Sequence, residues 1–234
     1  LLIIGFIKFE SIAIRKKENG STLKRLAVGF NYLKGEPFIF LFGVATQAVF
    51  ITVLLHVFEL SPTYVKNQIQ PADGAESGIF AASELFYSLG AVFAGLAIQR
   101  IFKKTTFLAA IIALTFITVL EFSAIVISKS VLVFYVMSFM LGLTNAGIRV
   151  IRVSYLFKVV PNQVIGRANS IFGVSNTLFR IIFLALFALP FFHQDSNVIY
   201  TFMILSNYIN GIDQCGLRLS KLPIGLKTKI IKIQ

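Results

Sequence analysis

Apolar residues fall into long blocks along most of this chain, each close to the ~20 residues that a membrane-spanning helix needs. At ~1.5 Å per residue, such a helix crosses a hydrocarbon core of ~30 Å. Strands of a membrane barrel would alternate apolar and polar residues over ten-residue windows, and these blocks do not. Helices also satisfy their own backbone hydrogen bonds in lipid. The pattern therefore predicts an all-α membrane protein.

The composition supports this fold class and excludes an ordinary soluble domain. Of the 234 residues, 56% are hydrophobic and 14% are charged, whereas soluble domains are ~45–50% apolar and ~25% charged. The predicted spans are 37–60, 78–99, 105–127, 131–156 and 171–192. A sixth span, 198–210, is partial. The basic tail at 208–234 shows no clear helical stripe, so we expect a truncated or frame-shifted last helix there.

The first 36 residues precede the predicted bundle. The chain begins with Leu inside the apolar run LLIIGFIKF, so we expect residues 1–9 to be the end of another membrane helix of a longer chain. Residues 10–36 are a polar connection containing an amphipathic helix. Its apolar stripe comprises Leu23, Leu26, Ala27, Phe30 and Leu33. This stripe either lies on an anionic membrane surface or packs on other helices of the protein.

The distribution of basic residues sets the predicted orientation. Those in or beside alternate connections are Lys8, Arg15, Lys16, Lys17, Lys24, Arg25, Lys34, Arg100, Lys103, Lys104, Arg149, Arg152, Lys158 and Arg167, whereas the opposite connections hold Lys66 and Lys129. Cytoplasmic loops concentrate lysine and arginine, so the first set is predicted to face the cytoplasm. The net charge of +12 is thus divided among short loops. No basic stripe with interleaved aromatic residues occurs, so nucleic-acid binding is not predicted.

The sequence carries few signs of catalytic chemistry. Cys215 is the only cysteine, and the two histidines, His56 and His193, are far apart along the chain. No zinc-protease, P-loop or nucleophile-elbow motif is found. We therefore predict that the chain is not an enzyme, and we predict neither a cofactor nor a metal site.

Polar groups inside the spans are the candidates for function, because a charge near the bilayer centre costs roughly 2.5–3.5 kcal/mol on insertion scales. Arg180 is placed at mid-depth of the fifth span, and Glu84 and Glu121 in the outer halves of the second and third. The uncharged candidates are Gln47, Asn145 and Asn176. Together they predict a water-accessible pathway in which Arg180 meets an anionic substrate or a carboxylate. Alternatively, Arg180 pairs with Glu84 or with helix carbonyls, and Glu121 lies at the outer interface.

Small residues predict close contact between the second and fourth spans. They are Ser88, Gly90, Ala91, Ala94 and Gly95 in the second span and Gly142, Ala146 and Gly147 in the fourth. Such spacing lets helix backbones approach in lipid, so these positions are interpreted as packing.

The polar turn VVPNQVIGRANS joins the fourth and fifth spans. Pro161 is expected to end the fourth span, Gly166 to permit an unusual backbone angle, and Arg167 to reach lipid phosphates or helix carbonyls. The turn is either a tightly anchored connection or a cytoplasmic latch whose contacts break when the bundle rocks.

Three stretches resemble the major facilitator superfamily, in particular its bacterial drug and siderophore exporter branch with the enterobactin exporter-like proteins. GLTNAGIRVIRVSYLFKVVPNQVIGRANSIFGVSNTLFRI resembles helices ten and eleven, and Pro161, Gly166 and Arg167 match the family's turn. LKRLAVGFNYLKGEPFIFLF is similar to the segment leading into helix seven. The residues similar to the basic loop between helices eight and nine are Gly95, Arg100, Lys103 and Lys104.

The resemblance, over about residues 1–205, implies half of a major-facilitator-type bundle: five transmembrane helices plus a partial sixth. It implies the carboxy-terminal half of a secondary active transporter in the cell (inner) membrane, exporting a small hydrophobic or siderophore-like molecule by alternating access. Its partners would be the lipid bilayer, the small-molecule substrate and the missing amino-terminal six-helix half. Proton coupling through Glu84 is compatible with this expectation. The alternative is a non-transporting membrane scaffold or a degraded transporter fragment.

Overall fold

The computed structural model of the chain describes residues 22–71, 74–102, 106–188 and 196–220, which fold into helices with no β-strand among them. In chain order the elements are α1 (Thr22–Gly35), α2 (Pro37–Leu55), a first π-helical segment (His56–Leu60), α3 (Ser61–Tyr64), a second π-helical segment (Val65–Ile69), α4 (Glu76–Ile101), α5 (Phe107–Ser128), α6 (Val131–Val159), α7 (Ile165–Phe187) and α8 (Ser196–Ser220). The predicted helix end at 1–9, the first part of the 10–36 connection, His193 and the end of the tail lie outside the described residues.

Five helical stretches are long and apolar enough to cross a membrane. They are Pro37–Ile69, Glu76–Ile98, Phe107–Ser128, Val131–Val159 and Ile165–Phe187. They correspond in order to the five predicted spans. The prediction of an all-α fold is confirmed for the described residues, and the helices indicate a multi-pass membrane protein.

The first of these stretches is interrupted but does not end at residue 60 as predicted. Pro62 lacks a backbone N–H and its ring crowds the preceding turn, so regular α-helical bonding cannot continue through it. The backbone instead widens into a π turn, in which the Ser61 N–H donates to the His56 carbonyl. The helical path continues to Ile69 and stops at Gln70, which has a left-handed φ of 48°.

The turn between α6 and α7 is shorter than predicted. Pro161 does end the preceding helix, and the N–H groups of Val164 and Ile165 both donate to its carbonyl. However, α7 begins at Ile165, so Gly166 and Arg167 already belong to its first turn. The prediction that Gly166 adopts an unusual backbone angle is therefore wrong: among the described glycines, Gly74 has a positive φ. Helical backbone suits both residues because Ile165 is buried and anchors that turn.

Helix α8 continues to Ser220, past the predicted end at residue 210. One face is fully enclosed, and its members Tyr200, Met203, Asn207 and Gln214 are each 0% exposed. Hydrophobic periodicity does not reveal this stripe, because half of those four residues are amides. Their bonds explain how polar groups fit: the Asn207 amide donates to the Thr52 hydroxyl over 3.0 Å.

Helix α6 occupies the centre of the bundle. It packs against α2, α4 and α5, while α8 packs on α5 and α2. The closest approach is between α4 and α6, where a Cβ on Gly90 would overlap the Phe139 carbonyl and a Cβ on Gly142 would overlap that of Tyr87. The predicted small-residue contact is thus confirmed at these two glycines. Gly95, by contrast, has open space at its Cβ position.

Helix α1 packs against the bundle along one edge of its apolar stripe. Leu33 is completely buried, and Gly29 lies so close to α7 that a Cβ there would be 2.8 Å from the Arg167 Cβ. Phe30 and Val28 remain about half exposed. The packing alternative therefore holds for one edge of α1, and its other edge remains exposed.

Candidate functional site: a polar furrow beside α6

The site is built on one stripe of α6. Asn145, Arg149 and Arg152 are spaced i, i+4 and i+7, which places them on the same side of the helix. Helices α2 and α4 each pack against α6 but share no extensive contact with each other. The stripe borders the gap between them. We call this gap the furrow and define it by Phe50, Tyr87, Asn145, Arg149 and Arg152.

Arg149 is the exposed charge of the furrow. Its guanidinium carbon lies 5.8 Å from the centroid of the Phe50 ring on α2, within cation–π range. It also acts electrostatically on the Tyr87 hydroxyl of α4. The side chain therefore lies between the two helices that border the furrow, within a segment apolar enough to span a membrane.

Asn145 of α6 and Tyr87 of α4 form a hydrogen-bonded contact at one side of the furrow, which is called its wall. The Asn145 amide nitrogen donates to the Tyr87 hydroxyl over 2.8 Å. The amide oxygen of Asn145 is buried and has no hydrogen-bond partner in the described part of the chain. Buried acceptors are seldom left in this state, so this oxygen marks an unsatisfied group at the wall.

Arg152 is the buried charge of the α6 stripe. It is 9% exposed, and its Nη1 atom is enclosed with no partner among the described residues. Arg149, one helical turn away, acts on it with a charge of the same sign. Both arginines fall within the predicted fourth span, 131–156, although they were counted among the basic residues around the cytoplasmic turn, and the structure places them inside α6, before Lys158 and the helix end at Val159.

The predicted candidates Gln47 and Asn176 meet across the α2–α7 contact. The Asn176 amide donates to the Gln47 carbonyl oxygen over 3.0 Å, and the Gln47 amide donates to the Phe172 backbone carbonyl over 3.4 Å. Gln47 is buried and Asn176 is half-buried. This pair links a furrow-bordering helix to α7.

Arg180 pairs with Glu59, not with Glu84. Its Nη2 atom lies 3.5 Å from the Glu59 Oε1, and the two side chains are 50% and 44% exposed. Because α7 begins at Ile165, Arg180 lies about two turns from the helix end at Phe187 rather than at mid-depth. The π-helical segment that follows α2 supplies Glu59, so the interruption at Pro62 sets the position of this carboxylate.

The remaining acidic candidates lie in different surroundings. Glu84 is half-buried on α4, and no described residue forms a hydrogen bond or ion pair with it. Glu121 is 2% exposed between α5 and α6, where its Oε2 accepts a hydrogen bond from the Thr144 hydroxyl over 3.0 Å. The structure therefore places Glu121 inside the helix contact and not at an exposed outer interface.

Sequence reasoning did not identify the contacts of one buried histidine, His56. His56 is 1% exposed, with its Nδ1 2.9 Å from the Tyr200 hydroxyl and its Nε2 3.4 Å from the Ser61 hydroxyl. Ser61 already donates its proton to the His56 carbonyl, so Nε2 must be the donor and Nδ1 the acceptor. Through its hydrogen bond to Tyr200, the neutral ring thus connects the first π-helical segment to α8. No local sequence pattern identifies the contact with Tyr200, which lies 144 residues away along the chain.

The scan of protein families and the comparison with characterised proteins find no match to this chain.

Proposed function

We propose that this chain is the carboxy-terminal half of a secondary active transporter of the major facilitator type, located in the cell (inner) membrane. The proposed activity is export of a small hydrophobic or siderophore-like molecule by alternating access. The furrow would form one wall of the pathway, and an amino-terminal six-helix half would form the other.

One observation carries the proposal: charged side chains inside membrane-spanning segments remain exposed. Arg149 on α6 is exposed, and the Arg180–Glu59 pair is about half exposed on both sides. In lipid such groups cost several kcal/mol, so charged residues within spans generally face water or a partner. The simplest environment for these three groups is an aqueous pathway.

The alternative of a non-transporting scaffold predicts that Arg180 and Glu84 are sealed by protein. Arg180 is half exposed and Glu84 is half-buried, so neither side chain is enclosed. Glu84 also has no described cation beside it, which keeps it a candidate for proton coupling. These observations speak against side chains sealed by protein, and the transport hypothesis requires in addition that neither side chain points to lipid.

The test uses the protein encoded by the complete parent gene, expressed in cells and offered a panel of cationic, neutral and catechol-type fluorescent compounds. Expression should lower the retention of at least one compound. Arg180→Ala should restore retention at equal protein level, whereas Lys66→Ala, which removes an exposed cation near the end of the first helical stretch, should not. Unchanged retention of every compound on expression of the unsubstituted protein would contradict the proposal, and unchanged efflux with Arg180→Ala would remove Arg180 from the pathway.

A further inference from the structure

We propose that Arg149 and Arg152 form a binding site for an oxyanion, either a carboxylate or a phosphate, on the α6 stripe that borders the furrow. The inference deepens the proposed function, on which it rests for the identity of the cargo: the transported molecule would carry such an anionic group. The binding itself is a property of this chain and is measurable without transport.

Arg149 and Arg152 place two positive charges within one helical turn, and no described residue compensates them. In the part of the chain that the structure describes, no carboxylate forms an ion pair with Arg149 or Arg152. Glu36, at the start of α2, also forms no ion pair with either of them. A buried charge without a partner is strongly destabilising. An occupied state that removes this cost is therefore strongly favoured.

The chemistry of the two arginines indicates which kind of ligand would stabilise them. The Arg152 Nη1 atom is buried and lacks an acceptor. A water molecule would satisfy its hydrogen bond but would leave the repulsion between the two guanidinium groups. An oxyanion does both, because its oxygens accept hydrogen bonds from guanidinium groups while its charge neutralises them.

An anion can reach this pair of arginines through Arg149. Arg152 alone is too enclosed to capture an anion, but Arg149 lies three residues earlier on the same stripe and is exposed in the gap between α2 and α4. The Phe50 ring beneath the Arg149 guanidinium supplies an apolar surface beside the charge. This combination suits an amphipathic molecule with one anionic end.

Lys158 provides a matched control. It lies on the same helix, and its ammonium group is 5.6 Å from the centroid of the Phe107 ring, so it also forms a cation–π contact. It is exposed and lies outside the furrow. A general attraction of anions to basic α6 residues would depend on Lys158 as much as on Arg149.

The experiment measures binding of inorganic phosphate to the purified 234-residue chain in a phosphorus-free maltoside detergent, by ³¹P line broadening at constant ionic strength. We expect saturable binding to the wild-type chain and to Lys158→Gln, with competition by benzoate. Arg149→Gln and Arg152→Gln should each weaken binding by about tenfold or more, the loss of one charge-assisted contact. Arg152→Lys keeps the positive charge but loses the planar guanidinium geometry, so its phosphate affinity should lie between those of the wild-type chain and Arg152→Gln.

A second arm identifies the source of the anion. The chain is placed in nanodiscs of phosphatidylcholine alone or with phosphatidylglycerol, and the phosphate affinity is compared. Equal affinity in both would assign the site to a soluble anionic group, whereas weaker phosphate binding beside phosphatidylglycerol, abolished by Arg149→Gln, would assign it to a lipid headgroup.

Absence of saturable phosphate binding to the wild-type chain, or equal loss with Lys158→Gln, would overturn the inference. Helicity measured by circular dichroism confirms that each variant folds. Efflux by the full-length protein without anion binding would refute this site alone, whereas anion binding without any efflux would refute the proposed transport.

Discussion

Arg152 and Arg180 are arginines in membrane-spanning helices with opposite surroundings. Arg180, near the end of α7, is half exposed and pairs with Glu59. Arg152 likewise lies about two turns from the end of its helix, at Val159 of α6, but it is 9% exposed and has an enclosed Nη1 without a partner among the described residues. The comparison shows that the charge easiest to explain is the exposed one. The buried charge requires something that the described part of the chain does not supply.

The largest change in the free energy of unfolding is expected when the buried charge of Arg152 is removed. Arg152→Met removes an uncompensated guanidinium and keeps an apolar side chain of similar reach, so the free energy of unfolding should rise by on the order of 3 kcal/mol. The measurement is denaturant unfolding in detergent, in buffer free of phosphate and carboxylates. A clear decrease in stability would show that Arg152 already has a strong partner and would break the comparison.

The next effect concerns the α4–α6 contact that borders the furrow. Gly90→Ala would drive its Cβ into the Phe139 carbonyl, so the helices must separate, and we expect a loss of roughly 1–3 kcal/mol. Gly95→Ala is the matched control on the same helix, where nothing surrounds the new Cβ and the higher helix propensity of alanine should make it neutral or stabilising. Equal effects of the two substitutions in thermal unfolding would contradict the packing described for α4 and α6.

The smallest effect is expected at the exposed pair. Arg180→Met should change the free energy of unfolding by less than about 1 kcal/mol, because a half-exposed ion pair is screened by solvent. Glu59→Gln should behave in the same way. If either variant lost as much stability as Arg152→Met gains, the pair would be a structural element, and its proposed position beside water would be untenable.

The amino-acid sequence predicts those parts of the fold that depend on local composition. Apolar run length locates the five spans, and Pro161 marks the end of α6. Among the boundaries that differ from the prediction, two do so because burial there does not follow hydrophobicity: Asn207 and Gln214 are enclosed polar members of the α8 stripe, and Ile165 anchors α7 ahead of its apolar run. In each case the neighbouring helices determine where the helix starts or ends.

The candidate site is less predictable, since its contacts join distant residues. Gln47 and Asn176 were both candidates, yet their hydrogen bond spans 129 residues of sequence. Arg149 and Arg152 lie within the predicted fourth span, 131–156, and were counted among the basic residues around the cytoplasmic turn because they precede Pro161 along the chain. The sequence does not show that Arg152 is enclosed while Arg149, one helical turn away, is exposed. Glu59 depends in turn on the π-helical segment before Pro62, which no apolar pattern indicates.

The central claim is that the furrow beside α6 holds water while the outer surface of α4 meets lipid. The direct test replaces Arg149 and Leu96 singly by cysteine in a Cys215→Ser background and measures reaction with a charged methanethiosulfonate in membranes. Both side chains are exposed, Leu96 to 72%, and both lie at similar distances from the starts of their helices at Val131 and Glu76. Rapid labelling at position 149 and none at 96 is the predicted result; equal labelling at the two positions, or labelling at 96 alone, would contradict it.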